Sequence, residues 1–356
     1  MRRILYITAF PPNECTGGQA FSKNAIHDLA QSDRLDVWYF AYPGHKPDLM
    51  PDPSVENVRS WNVPRSAWLG YPTVHPIFSR RMGREFLLEL RRVAAGYDLL
   101  YFDLSQVAMA SLMVDHPCKV VRLHDVLCQK FDRKAGWTGR WVRRTESRIV
   151  RSAAKVLVPS EKDAALLRDN YGVEADYTHE YIKPFDPSGA GPVTERIVFY
   201  GYWKRPENAD GLRWFIRKVM PLLQVPREFA AVGGGMPEDL KRLAGQIGVR
   251  CLGFVEDPMP ELYRSAALVV PLFQGAGVKV KALDAFATGT RVIGTPLAFE
   301  GLPEFPELET VCDSPASFAA AVDALKPSSA SGKLQRREAF LAQYDNRHLS
   351  QRLAEL

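Results

Sequence analysis

The stretch from Pro271 to Thr295 holds the densest chemistry in the chain: Pro-Leu-Phe-Gln-Gly-Ala-Gly-Val-Lys-Val-Lys-Ala-Leu-Asp, followed by Ala-Phe-Ala-Thr-Gly. An apolar run ends at Leu272, and Gly275 and Gly277 make a tight bend. A helix is predicted from about Val278 to Thr288, closed by Gly289 at its C-terminal cap. A glycine bend feeding a helix N-terminus aims backbone N–H groups at one point and favours an anion there. Lys279 and Lys281 add positive charge nearby. Asp284, about two turns into the helix, is placed to accept hydrogen bonds from ribose hydroxyls. This pattern is a phosphate cradle.

Three further sites have chemical content. Gly17 and Gly18 close the Pro11–Gly18 loop after the first apolar run and open a helix, an arrangement that lets backbone approach an anionic ligand. Ala231-Val-Gly-Gly-Gly-Met236 also follows a strand pattern, but it lacks the G-x-G-x-x-G spacing and a ribose-binding acid about 20 residues on, which argues against a dinucleotide site. His124-Asp125 follow the run Lys119–Leu123, so His124 falls at the carboxyl edge of a sheet, where it can hydrogen-bond a sugar hydroxyl near a reacting carbon. The remaining histidines do not cluster with Cys or Asp, and no zinc-protease, Asp-x-Asp, nucleophile-elbow or P-loop pattern occurs, so no metal is expected.

Short apolar runs alternate with amphipathic segments throughout. Strands are predicted at Ile4–Ala9, Leu35–Tyr42, Val58–Trp61, Leu99–Phe102, Lys119–Leu123 and Lys155–Pro159, and again at Arg196–Tyr200, Glu228–Val232, Val249–Phe254, Ala267–Leu272, Arg291–Thr295 and Thr310–Cys312. Helical patterns between them include Ala20–Gln31, Glu161–Tyr171, Asn208–Leu223 and Val280–Thr288. Such alternation predicts an α/β protein with parallel sheets covered on both faces. A single sheet of about a dozen strands would be unusual, so two Rossmann-like, doubly wound domains facing across a cleft are expected. The Pro/Gly-rich segment from Lys183 to Pro192 and a second breaker from Lys326 to Gly332 divide the chain into 1–183, 184–332 and a last helical segment, 333–356.

The 356 residues are 46% hydrophobic and 24% charged, ordinary for a globular chain. Five cysteines (Cys15, Cys118, Cys128, Cys251, Cys312) with no CxxC fit a reducing compartment. Met1–Phe10 is too short an apolar run for a signal peptide, and no stretch is long enough to span a bilayer, so a cytoplasmic location is expected. Charge is uneven: Arg59 to Arg151 holds 17 Lys/Arg against 8 Asp/Glu, in a chain whose net charge is +5. Trp61, Trp68, Tyr71, Phe78, Phe86, Trp137 and Trp141 fall in the same third. Basic and aromatic residues together suit an anionic membrane surface or single-stranded nucleic acid, or else form a solvated basic face over core aromatics.

With these motifs in this order, the sequence resembles the GT-B-fold glycosyltransferases, above all the large family-4 group of retaining enzymes. The resemblance is strongest from Arg196 to Gly301. It rests on Val198-Phe-Tyr-Gly-Tyr-Trp-Lys-Arg-Pro-Glu-Asn208 with Leu212-Arg-Trp-Phe215, on Val232-Gly-Gly-Gly235, on Leu252-Gly-Phe-Val-Glu-Asp257, and on Pro271-Leu272 through Gly301-Leu302. It implies transfer of a sugar from a nucleoside diphosphate, UDP or GDP, to a saccharide or lipid-linked acceptor hydroxyl in bacterial polysaccharide or glycolipid assembly, with no metal and no nucleic-acid partner. By the same resemblance, Gly277 and Val278 offer N–H groups to the diphosphate. Lys279, Lys281 and Lys204 or Arg205 lie around it, and Phe254 and Val255 flank the base. Asp284 meets the ribose, Gly17 and Gly18 lie near the donor phosphates, and His124 and Lys281 act at the reacting centre. The first domain takes the acceptor, and the last helix crosses back onto it. Where many members carry Glu, seven residues, then Glu, this chain has Ala276 and Asp284. Two other readings stay open: a sugar-nucleotide 2-epimerase on the same fold, and a non-catalytic nucleotide-sugar-binding protein.

Overall fold

Each half of the chain builds one all-parallel sheet. In this computed structural model the described residues are 1–13, 17–42, 52, 54–132, 138–178, 182, 185–275, 277–344, 349 and 353. The chain divides into a unit of residues 1–181 with 346–356 and a unit of residues 182–345. The first unit contains β1 (Arg3–Thr8), β2 (Arg34–Ala41), β3 (Asn57–Asn62), β4 (Leu99–Asp103), β5 (Lys119–Arg122), β6 (Lys155–Val158) and β7 (Asp176–Tyr177). The second contains β8 (Ile197–Tyr200), β9 (Phe229–Val232), β10 (Arg250–Gly253), β11 (Ala267–Val270), β12 (Arg291–Gly294) and β13 (Glu309–Val311). Their orders are β3-β2-β1-β4-β5-β6-β7 and β10-β9-β8-β11-β12-β13. Both are doubly wound, and each reverses its winding direction once, between β1 and β4 and between β8 and β11. At such a switch point the loops leave in opposite directions and open a crevice beyond the carboxyl ends of the strands.

The period-2 alternation of strands explains the layers. Ile4 and Tyr6 of β1 join Val37, Leu99, Tyr101 and Val120 in one core, while Leu5 and Ile7 join Phe40, Leu100 and Phe102 in the core on the other face. In the second unit Ile197, Phe199, Val269 and Ile293 pack on one side, and Val198, Leu268, Val270 and Val292 on the other. Central strands buried on both faces need continuous apolar runs, which is why these strands were readable in the sequence. The strands fall within two residues of the predicted ends. The exception is β7, two residues long, which the sequence reading omits because so short an edge strand leaves no pattern.

The first helix, Gly17–Ala30, begins three residues before the predicted Ala20, and two further helices differ from expectation. The predicted helix over Asn208–Leu223 is an α-helix only over Pro206–Trp214, then a π turn over Phe215–Val219 and a 3-10 turn over Met220–Leu222. Pro221 lacks an N–H and its ring crowds the carbonyl four residues back, so the regular ladder cannot continue. The last described helix starts earlier than Lys333, at Ala330, because Ser329 caps it by accepting the Gly332 N–H at 3.1 Å, and it runs to Gln343. Most of residues 345–356 lie outside the described residues, as do Cys15, Trp137, Lys183 and Ala276. Leu349 and Leu353 are buried in the first unit's core with Ile4 and Leu29.

Glycine fixes one packing distance that bears on the site. In the helix Pro206–Trp214, a Cβ on Gly211 would lie 2.2 Å from the Pro271 carbonyl oxygen, so this helix rides directly on the loop that follows β11. Gly245, in the helix Glu238–Gln246, faces open space. Gly211→Ala should therefore destabilise the protein by about 2–3 kcal/mol, whereas Gly245→Ala should stabilise it by up to about 1 kcal/mol through helix propensity. Urea unfolding of the two variants measures both.

Candidate active site

In the second unit, the chain leaves β8 at its carboxyl end, turns through Gly201–Lys204, and enters a helix with Arg205 at the N-cap and Pro206 in the first turn. This turn lies on the loop after β9. The Gly201 N–H donates to the Val232 carbonyl at 3.1 Å and the Trp203 N–H to the Gly234 carbonyl at 3.0 Å. Gly233 has φ +121°, and a Cβ there would stand 1.9 Å from the Gly201 oxygen. The Gly-Gly-Gly run is thus a packing requirement between two loops.

Asn208 joins this turn to the helix Val280–Ala287. Its Oδ1 accepts from Lys281 Nζ at 2.6 Å, and its Nδ2 donates to the Tyr202 carbonyl at 2.9 Å. An ammonium can only donate, so the amide orientation is fixed by chemistry. Burial pushes the Lys281 ammonium down to about 7, with the positive charges of Arg205 and Lys279 acting the same way and Glu207 opposing them. Lys281 and Asn208 line a small pocket with Phe199, Tyr200, Trp203 and Val270 at the β8/β11 switch point. Trp203 Nε1 is buried without a hydrogen-bond partner. A Cβ on Gly201 would come within 3.0 Å of Lys281 Nζ, so glycine leaves the ammonium its room.

The bend after β11 has Gly275 at φ +133° and Gly277 at φ +70°, where L side chains are strained. Val278 follows as a partly buried residue, and the helix begins at Val280 rather than at Val278, with Lys279 as N-cap. Lys279 Nζ donates to the Gly277 carbonyl at 2.5 Å and stands 4.0 Å from Glu300. It therefore closes the bend, while Lys281 supplies the cation at the pocket. Lys281 and Asp284 are three residues apart and share a helix face. The Tyr200 phenol is raised by burial and then by the charges of Asp284 and Asp257, which puts Asp284 close to the same pocket. Lys204 is exposed, its chain passing 2.9 Å from the Cβ position of Gly235. Arg205 is exposed at the cap. Phe254 is 78% exposed just past β10, lying against Gly234, and Val255 is partly buried.

The first unit carries a second constellation at its own switch point. Thr8 and Asp103 are register partners at the ends of β1 and β4. Asp103 is fully buried, accepts from His124 Nε2 at 2.8 Å and from Ser22 Oγ at 2.5 Å, and lies next to Arg122. Burial works to raise its pKa, but the charge and hydrogen bond of His124, the charge of Arg122 and the Ser22 hydroxyl hold it at about 2. With Nε2 committed to the carboxylate, His124 Nδ1 is the free edge, buried and without a partner. It lies 3.8 Å from the Cβ position of Gly18, in the helix Gly17–Ala30. Among described residues, Leu104 is the only non-glycine at positive φ (+79°), directly after Asp103. Backbone strain of this kind collects at functional sites. Glu146, also buried, accepts from the Leu127 and Cys128 N–H groups at 2.8 and 3.0 Å and from the Tyr171 hydroxyl at 2.8 Å, anchoring the segment that follows His124.

The structure thus puts Lys281 in the pocket, with the charge of Asp284 acting on the pocket residue Tyr200, sets Gly18 beside His124, and leaves Lys204 and Phe254 on the surface of their loops. Sequence reading missed Asn208, Asp103, Ser22 and Glu146. A signal existed for Asp103, the lone charge closing the apolar run Leu-Leu-Tyr-Phe, and for Ser22, one helical turn beyond Gly18.

The fold and these sites define the class that comparison with known proteins identifies. The family described as glycosyl transferases group 1 matches residues 194–326, and the glycosyl transferase 4-like domain matches residues 17–179. The chain belongs to the GT4-like glycosyltransferases of GT-B fold. Among solved structures, Anabaena HepE in complex with UDP and glucose is similar at TM-score 0.71 and 14% identity, over 100% of this chain and 99% of that one. WaaG, a glycosyltransferase involved in lipopolysaccharide biosynthesis, matches at TM-score 0.67 and 16% identity over 100% and 99%. A TarM variant from S. aureus, in complex with fondaparinux, α-GlcNAc-glycerol and UDP, matches at TM-score 0.71 and 11% identity over 97% of each chain. At such identities the likeness concerns the fold. A Klebsiella pneumoniae protein described as an uncharacterized 44.6 kDa protein in the cps region is 28% identical over 116 residues, and the match spans 30% of either chain.

Asp103→Asn should cost about 3 kcal/mol at neutral pH, since it removes a buried carboxylate that accepts from His124 and Ser22 and neighbours Arg122. The native carboxyl stays ionised below its unfolded value of 3.8, so its stabilisation is complete above about pH 5 and fades as pH falls toward 2. The gap between wild type and variant in urea titrations should shrink over that window.

Proposed function

We propose that this chain transfers a hexose from a UDP-sugar to an acceptor hydroxyl with retention of configuration, in assembly of a bacterial polysaccharide or glycolipid. The second unit takes the donor and the first the acceptor. The observation that carries this reading is the Lys281 ammonium, clamped by Asn208 at the switch point beside a strained glycine bend. In sugar transfer the bond from the anomeric carbon to the diphosphate oxygen breaks, and negative charge gathers on the leaving group. Lys281, the N–H groups of Gly277 and Val278, and Lys204 or Arg205 stabilise that charge, so the reaction proceeds without a metal. The acceptor's proton passes to the departing phosphate oxygen. His124, its ring fixed by Asp103, holds a sugar hydroxyl with Nδ1. Asp284 takes the ribose, and Phe254 with Val255 flanks the base.

UDP as carrier is supported by the UDP and glucose held by HepE. The lipopolysaccharide role of WaaG and the cps-region relative support polysaccharide assembly. A cytoplasmic site of action at an anionic membrane face is supported by Arg140, Arg144 and Arg148, exposed on the helix Thr138–Ser152, and by Trp68 and Leu69, 40% and 61% exposed beside Arg65. No described helix is long and apolar enough to cross a membrane. Pelleting with anionic but not neutral liposomes checks this part, and no pelleting contradicts it.

The donor reading has a proton signature. An arriving diphosphate favours the charged form of Lys281, whose pKa is about 7 in the free protein. UDP binding near pH 7.5 should therefore take up a proton, read as a buffer-dependent calorimetric enthalpy. Lys281→Met should abolish the uptake, weaken UDP by about 1.5–3 kcal/mol and slow transfer by about 10²–10³-fold. Incubating a panel of UDP-sugars with candidate acceptors, followed by mass analysis, tests the transfer. A changed sugar nucleotide formed without acceptor would replace this reading with epimerisation.

A further inference from the structure

We propose that Arg81 is the contact for an oxyanion on the acceptor, a phosphate or a carboxylate, at the carboxyl ends of β1 and β2. This rests on the first unit being the acceptor side. Arg81 follows the short helix Pro76–Ser79, which His75 caps by accepting the Ile77 N–H at 3.2 Å. Its Nε donates to the carbonyl of Ala9, the first residue past β1, at 2.9 Å. The guanidinium stands 4.7 Å from the Phe10 ring centre and 5.6 Å from that of Tyr42, the first residue past β2. Two sheet loops and one helix end thus hold it at the edge where ligands of this architecture bind.

The charge balance there is unusual. Arg81 is 3% exposed, and its Nη2 is buried with no hydrogen-bond partner. Ser79 Oγ, two residues earlier, is also buried and unpartnered. Among the described residues no carboxylate pairs with Arg81: its side-chain partner is the Tyr42 hydroxyl, and the charge of Arg80 acting on it is of the same sign. A buried guanidinium normally finds a carboxylate or a full set of acceptors, because an unsatisfied buried N–H costs stability. Aromatic faces and the Tyr42 hydroxyl offset part of that cost, and Nη2 is left for an anion. A planar, permanently charged fork fits phosphate or carboxylate oxygens in a bidentate manner, which a lysine would not reproduce.

The test uses the whole chain labelled with ¹⁵N-arginine, in saturating UDP so that added anion does not report on the donor side. Methyl phosphate, acetate and neutral methyl α-glucoside are titrated while the Arg81 Nε–H signal is followed. That signal is identified by its loss in Arg81→Lys or, if that variant does not fold, by through-bond transfer to its own backbone amide. The signal should move saturably with methyl phosphate or with acetate and stay still with the glucoside. The responding anion tells a phosphate-bearing acceptor from an acidic sugar. Arg81→Lys should weaken that anion about tenfold, the loss of one bidentate contact. A signal unmoved by both anions, or moved equally by the glucoside, overturns the proposal and leaves Arg81 a structural residue. UDP is titrated first, so failure on the donor side is seen separately, and the Arg81 signal remains readable without it.

Discussion

One buried cation organises the second unit's switch point. Lys281 reaches from the helix Val280–Ala287 to Asn208, and Asn208 in turn grips the Tyr202 carbonyl in the loop after β8. A lysine in such a place is unfavourable on its own, since burial costs the charged form more than one amide contact returns. Its neighbours Arg205 and Lys279 add to that cost. In the proposed reading this concentration of positive charge meets an anion, and the absent side chain at Gly201 leaves the ammonium its room.

The first unit solves a different problem. Asp103 and His124 form a hydrogen-bonded pair whose orientation is over-determined: Ser22 from one helix, the ends of β4 and β5, and Glu146 beneath the next segment all fix it. What remains unfixed is His124 Nδ1, facing Gly18. A rigid ring with one open edge positions a ligand hydroxyl without needing a proton transfer of its own. In the proposed reading the two units divide the work of a sugar transferase, charge stabilisation in one and orientation in the other.

The sheets were legible because parallel strands buried on both faces must be apolar along their length, and the glycine bend was legible because its conformation admits little else. Lys281 and Asp284 were readable as one face of one helix. Asn208 was not, because its meaning lies in a contact 73 residues away. Asp103 and Ser22 are 81 residues apart and meet only through the fold. Lys279, a phosphate cation in the sequence reading, also meets Gly277 and Glu300, contacts that sequence spacing cannot carry. The break at Pro221 was missed because the apolar period runs on through it.

The account depends on Lys281 meeting the leaving group. A crystal structure of the chain with UDP measures this directly. The account predicts a diphosphate oxygen within hydrogen-bond distance of Lys281 Nζ, with the N–H groups of Gly277 and Val278 facing the same phosphates. A diphosphate bound away from this pocket, with Lys281 still held only by Asn208, would contradict it.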